Sequence, residues 1–567
     1  MILSHDIMNE DIEYKECRFV QYVPPPTPDM PDLHLVKECI HTKDGKTKPS
    51  INLLYDYPRP YWIVRKGARN YTQPKEWIKK EFLNEFKAPQ RRLVEAISMS
   101  LRKPWFQGNL RMLQEDPYLF GTDIKSTAVI KHAYQQKYKY TSESLYSVAY
   151  LDIETDISTE HQYITLISVY FEGKCITGAT RRFFKGLKDI EEKVDKAMNK
   201  YLGEYVEKYQ IQSELHLYDT EIELLYGIMQ KVHELQPDFL AIWNMDYEMS
   251  RFIEACERAN TNPAVIFTDP SVPKEYKYFN YKRGPAQKVT ASGKITPIPP
   301  AARWHTVYCP ASFYIIDAMC TFKHTRIGKP ERPSYSLDSI LDQELGLGKL
   351  RFKEADEFKG TKWHLVMQDK YPVEYLIYNR FDVISMFLLE QKNKDMSFFL
   401  PLYSGASDFE DFKSQPRRLM DRLHWEVQEH GLIMGTTSKK LVDEYSDKIN
   451  LTGWITNLAA ELITKQPAPV IEEDIDHIST VYTNTGDLDV SASYPNGEVC
   501  YNISKETTVR ELLKVEGVDE WVAKHENMLL ITGHVDALQW CSNMLGFPKL
   551  DDVLKLYDEE NSNGNNS

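Results

Sequence analysis

Between residues 146 and 182 the chain alternates apolar and polar residues in three successive runs. YSVAYLDIET, ITLISVYFEGK and CITGATRRFF follow one another at hairpin spacing, which predicts three consecutive strands. Next, Thr220 and Glu223 stand at capping-box spacing ahead of the helical run LLYGIMQKVHEL. The stretch from Asp238 to Asn244 is short and apolar, as a buried strand requires, and EMSRFIEACERA has helical period. The order β-β-β-α-β-α excludes an all-helical or all-β domain here. It predicts a mixed sheet with helices on its faces.

The rest of the chain adds further domains. A length of 567 residues predicts about three to five of them. A Pro-rich segment, VPPPTPDMPDL, and Lys/Thr-rich turns in residues 20 to 60 read as extended chain and loops of an N-terminal domain. Residues 75 to 135 have a helical pattern, as does VEYLIYNRFDVISMFLLEQKNK at 373 to 394. Residues 274 to 304 form a basic, aromatic insert, and the tail YDEENSNGNNS reads as disordered. The expected class is a multidomain α/β protein.

The net charge of −14 excludes a generally basic coat for nucleic acid, but not a local basic channel. It also suits a protein that gathers carboxylates around metal ions. The eight cysteines lie far apart, without a CxxC pair or zinc spacing, and read as reduced cytoplasmic residues. The first 20 residues lack the pattern of a signal peptide, and no run of 18 apolar residues occurs, so no membrane partner is expected. Gly45 in DGKTKPS lacks the preceding glycine of a phosphate loop.

Three places concentrate chemistry. Asp152 and Glu154 end the first predicted strand, and residues i and i+2 share a face. They are either a surface acidic pair or a metal site, because adjacent buried carboxylates need a cation. Asn244, Asp246 and Glu248 follow the later buried strand, where α/β sheets form their sites. Helix capping accounts for these acids equally well. Tyr378 and Asp382 share a helix face, which also suits a simple hydrogen bond tying the helix down. Together the acids make an oxygen-ligand set for Mg²⁺ or Mn²⁺. Two such ions about 4 Å apart serve phosphodiester cleavage, with the tyrosine hydroxyl orienting water.

DIET, WNMDYE and YNRFD, in this order, resemble the three exonuclease motifs of family B DNA polymerases. Asp489-Val-Ser-Ala-Ser-Tyr494-Pro495 resembles the first polymerase motif of that family. Asn502-Ile-Ser-Lys-Glu-Thr507 is similar to its continuation in T-even-like bacteriophage enzymes, and Pro333-Ser-Tyr-Ser-Leu-Asp338 to the segment before the third exonuclease motif. The resemblance spans residues 55 to 555. It implies an N-terminal domain (1–145) and a ribonuclease H-like 3′→5′ exonuclease (146–395). A segment returning to the N-terminal domain (396–480) and the start of the polymerase palm with its tail (481–567) would follow.

The same resemblance implies residue roles. Asp152, Glu154, Glu248 and Asp382 would hold the two exonuclease metals, and Tyr378 would position water. Asp489 would hold polymerase metal, and Tyr494 would be the steric gate under the incoming deoxynucleoside triphosphate. The insert falls where related enzymes carry a strand-separating hairpin. Asn244, Lys277, Lys282, Arg283 and Lys288 would contact DNA, with Tyr278, Phe279 and Tyr281 as stacking surfaces.

Two departures bear on function. Glu248 stands where the family places Asp, with Asp246 as a substitute. Only 78 residues follow Asp489, and neither K-x-x-x-N-S-x-Y-G nor a D-T-D turn occurs. The expectation is therefore the N-terminal part of a split phage-type polymerase in a bacterial cytoplasm. It would act on primer-template and single-stranded 3′ ends, and a separate chain would complete the palm, fingers and thumb. Any sliding-clamp contact would run through that partner. The alternatives are a stand-alone 3′→5′ single-strand exonuclease and an inactive DNA-binding scaffold of the replisome.

Overall fold

The computed structural model describes residues 12–435 except 70–74, 76, 104–108, 140–143, 290–292, 328, 349 and 402–414. These residues belong to the unit Met1–Asn450. Asp489, Tyr494, the expected palm segment and most of the 396–480 segment lie outside the described residues.

The described chain is mixed α/β with several sheets. It opens with an antiparallel sheet of β1 (Ile12–Val23), β2 (Leu33–Thr42) and β3 (Thr47–Tyr55). The proline-rich segment is only the turn between β1 and β2, so residues 20 to 60 are mostly strand rather than loop. A second sheet joins β4 (Arg59–Val64), with β5 (Trp77–Lys79) nearby, to β6 (Leu83–Ala88) and β7 (Leu119–Phe120), in the order β6-β4-β7. Helices begin later than the periodicity predicts, at α1 (Leu93–Leu101), α2 (Leu110–Gln114) and α3 (Ser126–Tyr138). Residues 83 to 88 are strand because β4 offers a pairing edge, and pairing overrides a weak helical propensity.

The central sheet contains the three predicted strands, β8 (Val148–Thr155), β9 (Ile164–Phe171) and β10 (Lys174–Thr180), as an antiparallel meander. An unforeseen helix, α4 (Ile190–Tyr209), leads to β11 (Gln212–Tyr218), parallel to β10. After α5 (Glu221–Leu235), whose capping box forms as expected, β12 (Phe239–Ile242) pairs parallel to β8. Helix α6 (Met245–Arg258) and short α7 (Pro263–Phe267) follow.

The insert makes small pairings of β13 (Asn280–Lys282) with β16 (Thr306–Tyr308), and of β14 (Gln287–Val289) with β15 (Ile295–Pro297). Strand β17 (Tyr314–Asp317) then closes the sheet order β11-β10-β9-β8-β12-β17. The helices α8 (Ala318–His324), α9 (Leu337–Leu345), α10 (Thr361–Lys370) and α11 (Pro372–Asn393) follow, and α11 packs on β8 and β9. Last, α12 (Gln415–Glu429) stacks Trp425 on His132 of α3, and β18 (Leu432–Met434) pairs with β5. The chain thus returns to its N-terminal part.

Apolar cores fill both faces of the central sheet. One contains α4 and α11, the other α5 and α6. Helix α11 is buried on nearly every face rather than along one stripe. Gly178 lets α5 approach β10: a methyl group there would lie 2.7 Å from Ile228 Cγ1 and closer still to Leu224. Both neighbours are fully buried. Gly178→Ala is expected to destabilise the fold by about 1–3 kcal/mol, read as a lower urea midpoint.

Candidate metal centre

Strand β8 delivers Asp152 and Glu154 to its carboxyl end, and one face of α11 delivers Asp382. One oxygen from each carboxylate lies within 4.8 Å of the others. Two unit charges at that separation repel by about 3–4 kcal/mol at an effective dielectric of 20. The hydrogen bonds made to them by α11 come from neutral groups. Asn379 Nδ2 donates to Asp152 Oδ2 at 2.7 Å, and the Tyr375 hydroxyl donates to Glu154. This is an acidic group that could hold a metal ion, and its hard oxygen donors fit Mg²⁺ or Mn²⁺.

Tyr375, Tyr378, Asn379 and Asp382 form one stripe at i, i+3, i+4 and i+7. Tyr378 is buried and stacks on Tyr375, with ring centroids 5.8 Å apart. Burial and the charge of Asp382 raise its hydroxyl pKa well above the ordinary tyrosine value. Burial and Glu154 do the same for Tyr375, which therefore stays a proton donor. Behind Tyr375, His364 Nδ1 lies 2.8 Å from its hydroxyl, and Gln368 donates to the Thr155 carbonyl at 2.7 Å. The sequence reading found Tyr378 and Asp382 but missed Tyr375 and Asn379. Their helical spacing from Asp382 was the available signal.

The group comprises Asp152, Glu154 and Asp382, and Glu248 is not part of it. Met245, Glu248, Met249, Phe252 and Ala255 form the core-facing stripe of α6, so Glu248 is turned inward. Its Oε2 is buried without a hydrogen-bond partner. Burial, and after it the carboxylates of Asp317 and Glu154, push Glu248 well above the usual carboxylate range.

Asp317, which sequence reasoning overlooked, ends β17 level with Ile242 and caps α8 by accepting from Cys320 N. Burial outweighs that bond and pushes its carboxyl up to about 7. A carboxyl raised in the folded state stabilises below its unfolded value, and that contribution is lost as pH rises through the folded value. Stability is therefore expected to fall between about pH 4 and pH 7, by at most about 1.4 kcal/mol per pH unit from this group. Asp317→Asn keeps the cap acceptor and should flatten that limb in urea titrations at several pH values.

Asp246 has partners in the insert. It accepts from the Tyr281 hydroxyl at 2.8 Å and Arg283 Nε at 2.9 Å. Burial opposes its charge, but Tyr281, His305 and Arg283 prevail and hold it below the usual range. Arg283 consequently ties the insert to α6. Phe279 packs on Phe267 with centroids 5.0 Å apart, and Tyr278 and Tyr281 are half-buried against the two cores. These rings help hold the insert in place. Lys282 and Lys288 are exposed, Lys277 is half-buried, and Asn244 sits exposed at the start of α6.

Set against known proteins, the chain matches no protein-family model and no curated protein.

A second group, Glu16, Cys39 and His41, also brings ligand atoms together. Its carboxylate is already neutralised by Arg18 Nη1 at 2.7 Å, and it accepts from Ser144 and lies 3.0 Å from His41. Burial pushes the Cys39 thiol up to about 11, the wrong direction for a thiolate ligand. This group is an ion-pair network. No helix among the described residues is long and apolar enough to cross a membrane.

Proposed function

We propose that this chain is a metal-dependent 3′→5′ exonuclease of single-stranded DNA ends. We further propose that it carries the N-terminal and proofreading part of a family B DNA polymerase. The convergence of Asp152, Glu154 and Asp382 carries the nuclease reading. An antiparallel meander flanked by parallel β12 and β17 fits a ribonuclease H-like domain, with the acids at the carboxyl end of its first strand. The polymerase reading rests on the ordered motifs and on Asp489 and Tyr494.

Asp152, Glu154 and Asp382 would hold Mg²⁺ or Mn²⁺. Bound there, the ions would supply Lewis acidity to the scissile phosphate and its attacking water. The chain's own groups do the rest. Asn379 and Tyr375 fix the Asp152 and Glu154 carboxylates, so the site is organised before substrate arrives. Tyr378, kept protonated among these acids, donates a hydrogen bond to the attacking water. Exposed Lys282 and Lys288 would attract the strand. A frayed or mismatched end is cheaper to unpair, so it would be trimmed first.

The test uses the purified chain, a 5′-labelled single strand and Mg²⁺. Stepwise shortening from the 3′ end is expected, abolished by chelator and by Asp152→Ala. A folded chain that leaves the strand intact would refute the nuclease reading in favour of a binding scaffold. Glu248, absent from the carboxylate group, is the observation that favours that second reading.

A further inference from the structure

A cavity of about 460 Å³ lies among the short helix Arg181–Phe184, the loop after β8, and α10. Small-molecule sites span about 300–1,000 Å³. None of the three clustered carboxylates lines it. Its lining combines the cations Arg182, Lys185 and Lys370 with the apolar Phe183, Leu365 and Val366. Two acids also line it, and both are engaged. Asp156 accepts from Ser158 N at 3.0 Å, and Asp369 pairs with Lys185. A phosphate entering the cavity can take the place of the Asp369 carboxylate on Lys185 and meets two further cations, Arg182 and Lys370. A bare anion would not need the apolar residues, whereas a nucleotide uses both kinds.

A second, independent observation concerns the cavity's polar wall. Gln368 is only 8% exposed and donates from Nε2 to the Thr155 carbonyl and, at 3.3 Å, to Tyr375 Oη. Thr165 Oγ1 donates to the Glu154 carbonyl at 3.1 Å. The wall therefore grips the backbone that carries Glu154, and Tyr375 grips its carboxylate. We propose that this cavity binds a nucleoside 5′-monophosphate, with the phosphate among Arg182, Lys185 and Lys370 and the base against Phe183 and Leu365. The choice of the monophosphate rests on the nuclease reading, since trimming releases that product next to the cavity. Binding there would reach the nuclease site through Gln368 and Thr165.

The experiment is calorimetric titration of the full chain in chelator, so that no nuclease step is involved. The probes are deoxyadenosine 5′-monophosphate, deoxyadenosine and inorganic phosphate. One saturable site for the monophosphate is expected, with either fragment at least about tenfold weaker. Arg182→Glu and Lys370→Glu, both on exposed side chains, should each weaken it by about tenfold or more. Asp382→Asn should leave binding unchanged. Amide exchange should slow on binding in residues 181–185 and 365–370. Absence of saturable binding overturns the proposal, as does equal binding of phosphate alone. Binding lost in Asp382→Asn but kept in Arg182→Glu also overturns it, by placing the nucleotide at the carboxylates. Because the titration needs no cleavage, its failure is separate from a failure of the nuclease assay.

Discussion

Asp382→Asn should lower Mg²⁺-dependent shortening of a single strand by about a thousandfold or more, and yet stabilise the metal-free chain. The two effects share one cause. Asp382 is buried, and its carboxylate stands within 4.8 Å of oxygens of Asp152 and Glu154. Without a cation the three charges repel, and asparagine removes one charge at nearly constant shape. With a cation the same charge is a ligand, and its loss opens the coordination set. Thermal unfolding with and without Mg²⁺ checks both halves. The native chain should be stabilised by about 2.7 kcal/mol when Mg²⁺ is at a hundred times its dissociation constant. The variant should start higher and gain little. A variant less stable than the native chain in chelator would mean that the three acids are not a mutually repelling site.

Arg18→Ala should be the most damaging single change outside the carboxylate group. Arg18 on β1 is almost fully buried and pairs with Glu16 at 2.7 Å and Asp238 at 3.4 Å. It also donates to the carbonyls of Ser144 at 2.7 Å and Leu145 at 2.6 Å, just before β8. One guanidinium thus ties the first sheet to the chain entering the central sheet and to the residue preceding β12. Asp238 in turn accepts from Ser147 N at 2.9 Å, which sets where β8 begins. Removing the arginine leaves two buried carboxylates without their cation, an effect of about 3–5 kcal/mol. The measurement is the urea midpoint followed by tryptophan fluorescence. A double variant, Arg18→Ala with Glu16→Gln, should recover part of the loss, because one orphaned charge is gone. A single variant within about 0.5 kcal/mol of the native chain would mean that the network is slack.

Legibility in the sequence followed the range of the interactions involved. The strands β8, β9 and β10 and the capping box of α5 rest on near neighbours and alternation, and the sequence reading located all of them. Helix α4 and strand β11 went unread. Much of α4 is charged surface, and β11 is only half-buried because it lies on the sheet edge, so neither carries a clean apolar pattern. Strands β5 and β6 looked helical because what makes them strands is a partner distant in sequence.

For the candidate centre, the sequence by itself determined the chemistry available: two acids on one face of a strand, and a tyrosine and an acid on one face of a helix. Period decides such pairs, and period is local. Only the tertiary structure decided which acids meet. Crossing α11 over the end of β8 brought Asp382 to Asp152 and Glu154 and added Asn379 and Tyr375. The packing of α6 buried Glu248, while Asp246 on α6 paired with Arg283 of the insert. Charge and reach are written in a residue, but whether a carboxylate ends beside a cation, an amide or another carboxylate depends on chain segments hundreds of residues apart.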